Sequence, residues 1–356
     1  QNYNAPVGED AAFAYATALN HLLSFNSRQK IRIGDTTTVF WTERDSPVEG
    51  FMGFVFDPGD DGADTADVRR FLEAVRDGNM PEEIKDPDMR FYILGLSPNA
   101  SRLSVRFWHV STVKDMLDRI GRHFRDLSIL PQYDSEPEFP PMWRLLLATA
   151  AQGKAENISP VLSGGFTRSM LTGAPYPQTL LTAVISRIRA DRNVSYFRAA
   201  MIKAFLVRKH REDPEFMEVK MALDEKSTNT FYRLGRLFAI LERAQEEAVK
   251  AGASIKDKFF SSACATPAKV FPHLVGLNQH HMKKIRQDKK GYAKWLDKKI
   301  EEITNGIEPF EEDREGFPAH LSADEQGLFI LGYYQQRKDC KDWFTKKTDD
   351  QETEED

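Results

Sequence analysis

The stretch FPAHLSADEQGLFILGYYQQRK, residues 317–338, decides how the second half of this chain folds. Ser322 followed three residues later by Glu325 is a capping box: the hydroxyl accepts from the N–H near Glu325, and the carboxylate reaches back to the cap. A helix starts there. Leu328, Leu331 and Tyr334 recur at intervals of three, flanked by Phe329 and Ile330. Gly327 and Gly332 admit a second backbone where larger residues would block it. The segment is predicted to be a packed helix with other helices as its neighbours.

Helical spacing continues upstream. Segments 142–152, 177–190, 195–211, 229–251, 267–287 and 291–304 all carry it. Within 229–251, Phe231, Leu234, Phe238, Leu241 and Ala248 form one apolar stripe, which predicts a helical bundle. Thr266 before Pro267 is a further helix start, a cap followed by proline at the first helical position. The stretch LPQYDSEPEFPP, 130–141, holds four prolines and cannot continue a helix, so a domain boundary is expected there.

The first 130 residues differ in pattern. Residues 8–24 and 64–77 have helical spacing, whereas TTTVFWTE from 36 and FMGFVFD from 51 read as strands rich in β-branched and aromatic residues. Residues 91–96 and 103–110 flank the turn signal SPNA and predict a β-hairpin, with Leu103, Val105, Phe107 and His109 alternating on one face. A helix follows from Val113, with Ser111 or Thr112 as its cap. The expected fold class is α+β: a mixed part with a β-hairpin and helices over 1–130, an acidic Pro-rich linker over 131–141, and then a mainly α-helical bundle. The helical part divides into a basic segment, 142–220, and a C-terminal bundle, 221–345. An acidic, disordered tail is expected over 346–356.

Charge is segregated along the 356 residues. The net charge of −5 hides a first part, 1–140, with 15 Lys+Arg against 23 Asp+Glu, and six acids in 349–356; residues 141–348 therefore carry +9. A positive field concentrated on the helical part suits phosphates. Two windows are densest. Residues 187–211 contain Arg187, Arg189, Arg192, Arg198, Lys203, Arg208, Lys209 and Arg211 against Asp191 alone. Residues 256–299 hold eleven Lys+Arg against three acids, among them Lys256, Lys258, Lys283, Lys284, Arg286, Lys289 and Lys290. Lys269 lies in the first turn of the Thr266 helix, where an ammonium and backbone N–H groups can converge on a phosphate. SGGFTRSMLTG, 163–173, reads as a loop that places Arg168 beside a Gly164-Gly165 turn. Arg168, Lys269 and the residues named above from the two windows, Arg211 excepted, are the candidate nucleic-acid contacts, with solvated helix faces as the alternative.

Other chemistry finds little support. Adjacent His280 and His281 diverge by about 100° on a helix and cannot share a metal, so core or polar contacts are the expectation. No HExxH, GxSxG or P-loop spacing occurs, and acidic pairs such as Glu301-Glu302 stand in charged surroundings. No enzyme activity, metal or cofactor is therefore expected. Two cysteines, Cys264 and Cys340, make no disulfide framework and suit a cytoplasmic protein. No apolar run is long enough to span a bilayer, so no membrane partner is expected.

Five ordered blocks carry a resemblance: NYNAPVGEDAAFAYATALN (2–20), LTGAPYPQTLLTAVISRIR (171–189), NTFYRLGRLFAILERAQEEA (229–248), CATPAKVFPHLVGLNQHHMKKI (264–285) and the 317–338 helix. Together they resemble the large subunit of the type I-C CRISPR surveillance complex, Cascade. The resemblance implies a non-catalytic subunit that works with guide RNA and other Cascade subunits. It further implies binding of target double-stranded DNA, stabilisation of the displaced single strand in an R-loop, and support for recruiting a helicase-nuclease that serves antiviral defence. It enters mid-way through a longer subunit, so this chain, opening on Gln1, is expected to be a C-terminal portion. The family also makes its small subunit by internal initiation, for which Met221 or Met217 stands in place. The rival reading is a helical scaffold that binds proteins only.

Overall fold

The computed structural model describes residues 7–33, 36–57, 66–99, 102–214, 216, 218–249, 254–307 and 317–352, with backbone alone at Ile33 and 342–352. Its elements in order are α1 (Glu9–Leu23), β1 (Lys30–Ile33), β2 (Thr36–Thr42), α2 (Val48–Phe56), α3 (Ala66–Arg76), β3 (Arg90–Asn99), β4 (Arg102–Thr112) and α4 (Val113–Leu127). Helices then follow without further strands among the described residues: α5 (Met142–Thr149), α6 (Pro160–Thr172), α7 (Gln178–Asp191), α8 (Tyr196–Lys209), α9 (Thr230–Ala248), α10 (Ile255–Ala265), α11 (Pro267–Asp288), α12 (Lys290–Thr304) and α13 (Ala323–Glu352). The fold class is α+β. Two compact units divide the chain: 1–125 with 139–177, and 126–138 with 178–356. The Pro-rich stretch 130–141 thus contains one of the crossings between them. Met217 lies outside the described residues, and Met221 sits in the segment between α8 and α9.

The first unit is built on an antiparallel meander in the order β1-β2-β3-β4. Phe40 on β2 packs its ring 5.3 Å from Phe56 and 6.2 Å from Phe91. The FMGFVFD run is a helix, α2, and not the strand its composition predicts. Val48, Met52, Val55 and Phe56 are its buried residues, a three-and-four spacing that a short apolar run leaves undistinguished from a strand. Thr112 is the cap of α4, its hydroxyl accepting from the Asp115 N–H at 3.1 Å.

The expected hairpin is present, but its faces differ from the simple alternation. The register shifts at Gly95/Leu96, which pair with Phe107 and Val105, so Arg106 is a bulge residue. Alternation resets there. Leu103 and Val105 share a face with Trp108 and Val110, and all four are 43–63% exposed. Phe107 and His109 turn to the other face. The bulge seats the Phe107 ring over Gly95, where an added Cβ would stand only 2.3 Å from a ring carbon.

Residues 163–172 are helical, which corrects the loop expected around Gly164-Gly165. Ser159 accepts from the Leu162 N–H as N-cap, Pro160 occupies the first turn, and Gly173 at φ 76° ends the helix in the left-handed conformation. The glycine pair lies between these signals. Gly165 borders the Pro177 ring, which an added Cβ would meet at 3.2 Å.

The second unit centres on α9 and α13. Ser322 and Glu325 form the expected capping box, with the Ser322 N–H donating to Glu325 Oε2 at 2.6 Å and the Glu325 N–H to Ser322 Oγ at 3.4 Å. A Cβ on Gly332 would come within 2.0 Å of the Tyr232 carbonyl oxygen, and one on Gly235 within 1.8 Å of the Phe329 carbonyl oxygen. Two glycines, one on each helix, therefore bring the backbones into direct contact. Gly327 instead faces side chains, with Ile202 Cγ2 at 3.1 Å from an added Cβ.

Around this contact runs a buried polar seam. Tyr232 donates to Gln335, Arg236 Nε donates to Gln336 Oε1 at 3.0 Å, and Tyr333 donates to Glu242 Oε2 at 2.7 Å. Arg337 Nη1 reaches the same carboxylate at 2.8 Å. Phe238, Phe260, Phe329 and Tyr333 close an aromatic cluster beside it. Helix α13 runs on to Glu352, so most of the tail expected to be disordered is helical; a helix already nucleated propagates at low cost.

Because the glycine contacts are backbone to backbone, an added methyl cannot be relieved by a side-chain rotation. Gly332→Ala and Gly235→Ala are each expected to cost about 1–3 kcal/mol or more, read as a lower urea midpoint at unchanged slope. Gly327→Ala, bordered by side chains that can shift, is expected to cost less than either.

Candidate nucleic-acid interface

Sequence places two basic windows on helices; the structure sends one inward and the other outward. Helix α8 carries the first. Arg198, Lys203 and Arg208 on it are buried. Arg208 Nε donates to Asp126 Oδ2 at 2.8 Å, with the two side chains 2% and 4% exposed. Lys203 Nζ donates to the Asp126 carbonyl at 3.0 Å, and Arg211 donates to the same residue's carboxylate. Arg198 pairs with Asp191 and donates to the Asn193 carbonyl at 3.0 Å.

The flanks of this window are mostly committed too. Arg187 is paired with Asp191. Lys209 Nζ and His210 Nε2 meet Asp324 Oδ2 at 2.5 and 2.9 Å, joining α8 to the start of α13. Burial works against the Asp324 carboxylate, but those two hydrogen bonds outweigh it and hold its pKa below the usual value. Arg189, Arg192 and, in the other unit, Arg168 on α6 remain exposed. So Arg187, Arg198, Lys203, Arg208 and Lys209 are not available to a phosphate in this structure. Apolar residues between them drive α8 into the core, and the cations follow with partners in hand.

The second window faces solvent. On α11, Val270, Phe271, Leu274, Asn278, Met282 and Ile285 are buried. The opposite stripe, Lys269, His273, Gly276, His280, Lys283, Lys284 and Gln287, is exposed and contains no acid. From Lys269 to Lys284 it runs about 22 Å at 1.5 Å per residue, the length of about six phosphates along one duplex strand. Lys269 contributes its ammonium only: the Ala268 and Lys269 N–H groups already donate to Pro318 and Thr266 carbonyls, at 3.1 Å each. That corrects the expected helix-terminus phosphate seat. His280 is exposed and His281 half-buried, its pKa lowered by burial and then by the neighbouring His280. Neither stands in the core.

Two cations of this window hold the corner. Arg286 Nη2 meets both Asp297 oxygens at 2.9 Å, tying α11 to α12, and Lys289 Nζ meets Glu247 Oε1 of α9 at 2.7 Å. Beyond the corner, Lys290 and Lys294 stand one turn apart on the exposed side of α12. Lys258, Lys269, Lys283, Lys284, Lys290 and Lys294 are exposed and have no carboxylate within ion-pair distance among the described residues. Lys294 is absent from the sequence-based candidates. The i, i+4 spacing in KKGYAK would have found it. Lys256 is half-buried and belongs to a separate cavity.

Gly276 sits at the middle of the α11 stripe, and a Cβ there would meet nothing within 4 Å. An interior helical glycine costs about 1 kcal/mol relative to alanine, and no neighbour among the described residues requires it. Its effect is a flat, backbone-level floor between lysines.

The whole chain bears on what this surface serves. Residues 1–341 match the family of CRISPR-associated protein (Cas_Csd1). The chain belongs to that family. No curated protein matches it. As a CRISPR-associated Cas_Csd1 protein it works alongside other CRISPR components. Among its described residues no helix is long and apolar enough to cross a membrane, and no three His, Cys, Asp or Glu side chains converge to hold a metal ion. Cys264 and Cys340 are buried, and burial pushes both thiols up to about 12.

Lys203 yields a pH test of the inward assignment. Burial lowers its pKa to about 8, against the opposing pull of Asp126. The folded state therefore binds fewer protons than the unfolded state between about pH 8 and 10.5, and stability rises with pH across that window. The gain is on the order of 3 kcal/mol at most. Urea midpoints from pH 7.5 to 10.5 are expected to show this rise in the wild type relative to Lys203→Met, which lacks it.

Proposed function

We propose that this Cas_Csd1 protein is the non-catalytic large subunit of a type I-C-like RNA-guided surveillance complex. In this reading it holds target DNA and the displaced strand along α11 and α12, within an assembly of guide RNA and other Cascade subunits, and supports recruitment of a helicase-nuclease. The observation that carries it is the acid-free stripe of Lys269, Lys283 and Lys284, continued by Lys290 and Lys294, whose charges the fold leaves without carboxylate partners among the described residues. Base pairing in such complexes supplies sequence, and the protein supplies backbone contacts that tip a near-balanced strand exchange. Point charges without a defined fork geometry suit that sequence-independent task.

A specific observation favours one rival. Leu103, Val105, Trp108 and Val110 form an exposed apolar strip on the sheet, the kind of surface a protein partner covers. A purely protein-binding scaffold needs that strip alone and leaves the lysines as solvated surface.

DNA binding across a salt series separates the two. Replacing Lys269, Lys283, Lys284, Lys290 and Lys294 by Gln is expected to weaken binding across sequences. It should flatten the log–log salt slope by about 0.7–0.9 for each phosphate that the variant no longer neutralises. Gly276→Leu, raising a side chain in the middle of the stripe, is expected to weaken binding without changing that slope. A wild-type protein showing no salt-sensitive binding, alone or with its partners, would leave the scaffold.

A further inference from the structure

The sheet of the first unit has two edges, and the fold treats them differently. Strand β1 is four residues long, its Ile31 is buried, and α2 and α6 pack against it. Strand β4, at the opposite edge, is eleven residues long and pairs with β3 alone among the described residues. In an antiparallel pair, every second residue of an edge strand turns its N–H and C=O away from its neighbour. Outside the β3 ladder, residues 102–105 and 107–112 make no backbone hydrogen bond among the described residues. A row of backbone donors and acceptors is left to solvent.

The side chains beside that row are apolar. Leu103, Val105, Trp108 and Val110 share the face turned away from Phe91 and Ile93 and are 43–63% exposed. Trp108 is braced from behind: its ring lies 5.6 Å from Trp41 and 6.0 Å from Tyr92, which stack on each other at 5.4 Å. A strip held in this way has little side-chain freedom left to lose on binding. Devices that blunt an exposed edge are sparse. Strand β4 has no proline and no lysine, and Arg106 at the bulge is drawn back onto β3, its Nε donating to Ser97 Oγ at 2.6 Å. Past the bulge, 107–112 pair regularly with β3, about the length of an ordinary strand.

Charge narrows what fits there. Strand β4 contains Arg102, Arg106 and His109 and no acid; the nearest acids along the chain, Asp115 and Asp118, belong to α4. Arg102 and, just past the strand, Lys114 are exposed, with no carboxylate within ion-pair distance among the described residues. A second copy of β4 would set one basic strand against another. A nucleic acid would meet Leu103, Val105 and Val110 where it needs cations and stacking faces. We propose that the β4 edge takes up an extended, acid-bearing apolar segment of another protein as an added strand, its alternate side chains covering Val105, Trp108 and Val110. This rests on the assembly with other proteins that both readings above require, and not on the DNA contact.

Hydrogen exchange at single-residue resolution, on the chain alone and assembled with guide RNA and the other Cascade subunits, tests it. Assembly is expected to slow alternate amides between 103 and 111 at least about tenfold. Val105→Gln, alone and together with Trp108→Gln, should weaken assembly about tenfold or more, while the salt slope of DNA binding by the free chain stays unchanged. Arg102→Glu should weaken assembly as well; no effect would remove the acid-bearing assignment. An assembly that forms with these amides unprotected, or that tolerates a folded Val105→Gln, overturns this inference and leaves the α11 reading standing. Protection of the same amides by DNA alone, or by raising the concentration of the free chain, assigns the edge to nucleic acid or to a second copy and overturns it too. A chain that joins no assembly overturns the inference together with the function proposed above.

Discussion

The second unit depends on one contact, the backbone crossing of α9 and α13 at Gly235 and Gly332. Each glycine sits where a Cβ would overlap a carbonyl oxygen of the other helix, at 1.8 and 2.0 Å. At that separation the side chains on either side of the crossing are forced to interdigitate. Their polar ends must then find partners inside the protein. The Tyr232–Gln335, Arg236–Gln336 and Glu242–Tyr333–Arg337 interactions are those partners. A buried seam of this kind contributes little net stability and specifies register, because a one-residue slip would strand several polar groups at once.

That register also sets which charges remain outside. With α13 fixed on α9, Asp324 is placed to take Lys209 and His210, while Glu247 of α9 takes Lys289 at the α11–α12 corner. Asp126 collects Arg208, Lys203 and Arg211. Acids are thereby consumed on inner and lateral surfaces, and among the described residues the lysines on the outer stripe of α11 keep no carboxylate partner. A net charge of −5 for the whole chain is compatible with a positive surface for that reason.

Much of the fold was legible. The Ser322 capping box, the Thr112 cap and the Asn229–Ala248 periodicity are local signals with local causes, and each lies where its residues point. Local signals failed where two periods compete or where an unseen partner decides. The FMGFVF run suits a strand or a helix until its buried neighbours are known. The Gly164-Gly165 pair signals a turn, yet Ser159, Pro160 and Gly173 set the ends of a helix around it. In β4, one bulge at Arg106 reversed which side chains are exposed. No periodicity announces a bulge, because the pattern on either side of it stays regular.

For the interface, the sequence by itself determined that the helical part carries excess positive charge, that two windows concentrate it, and that helices present them. Only the tertiary structure decided which window is turned inward. Arg198, Lys203 and Arg208 share α8 with Ala199, Met201, Ile202 and Phe205, and both groups are buried together. Lys269, Lys283 and Lys284 share α11 with an equally apolar face, but stand opposite it. The physical reason is common to both cases: a cation's environment is set by what long-range packing places beside it, and residue type and spacing carry no record of that neighbour.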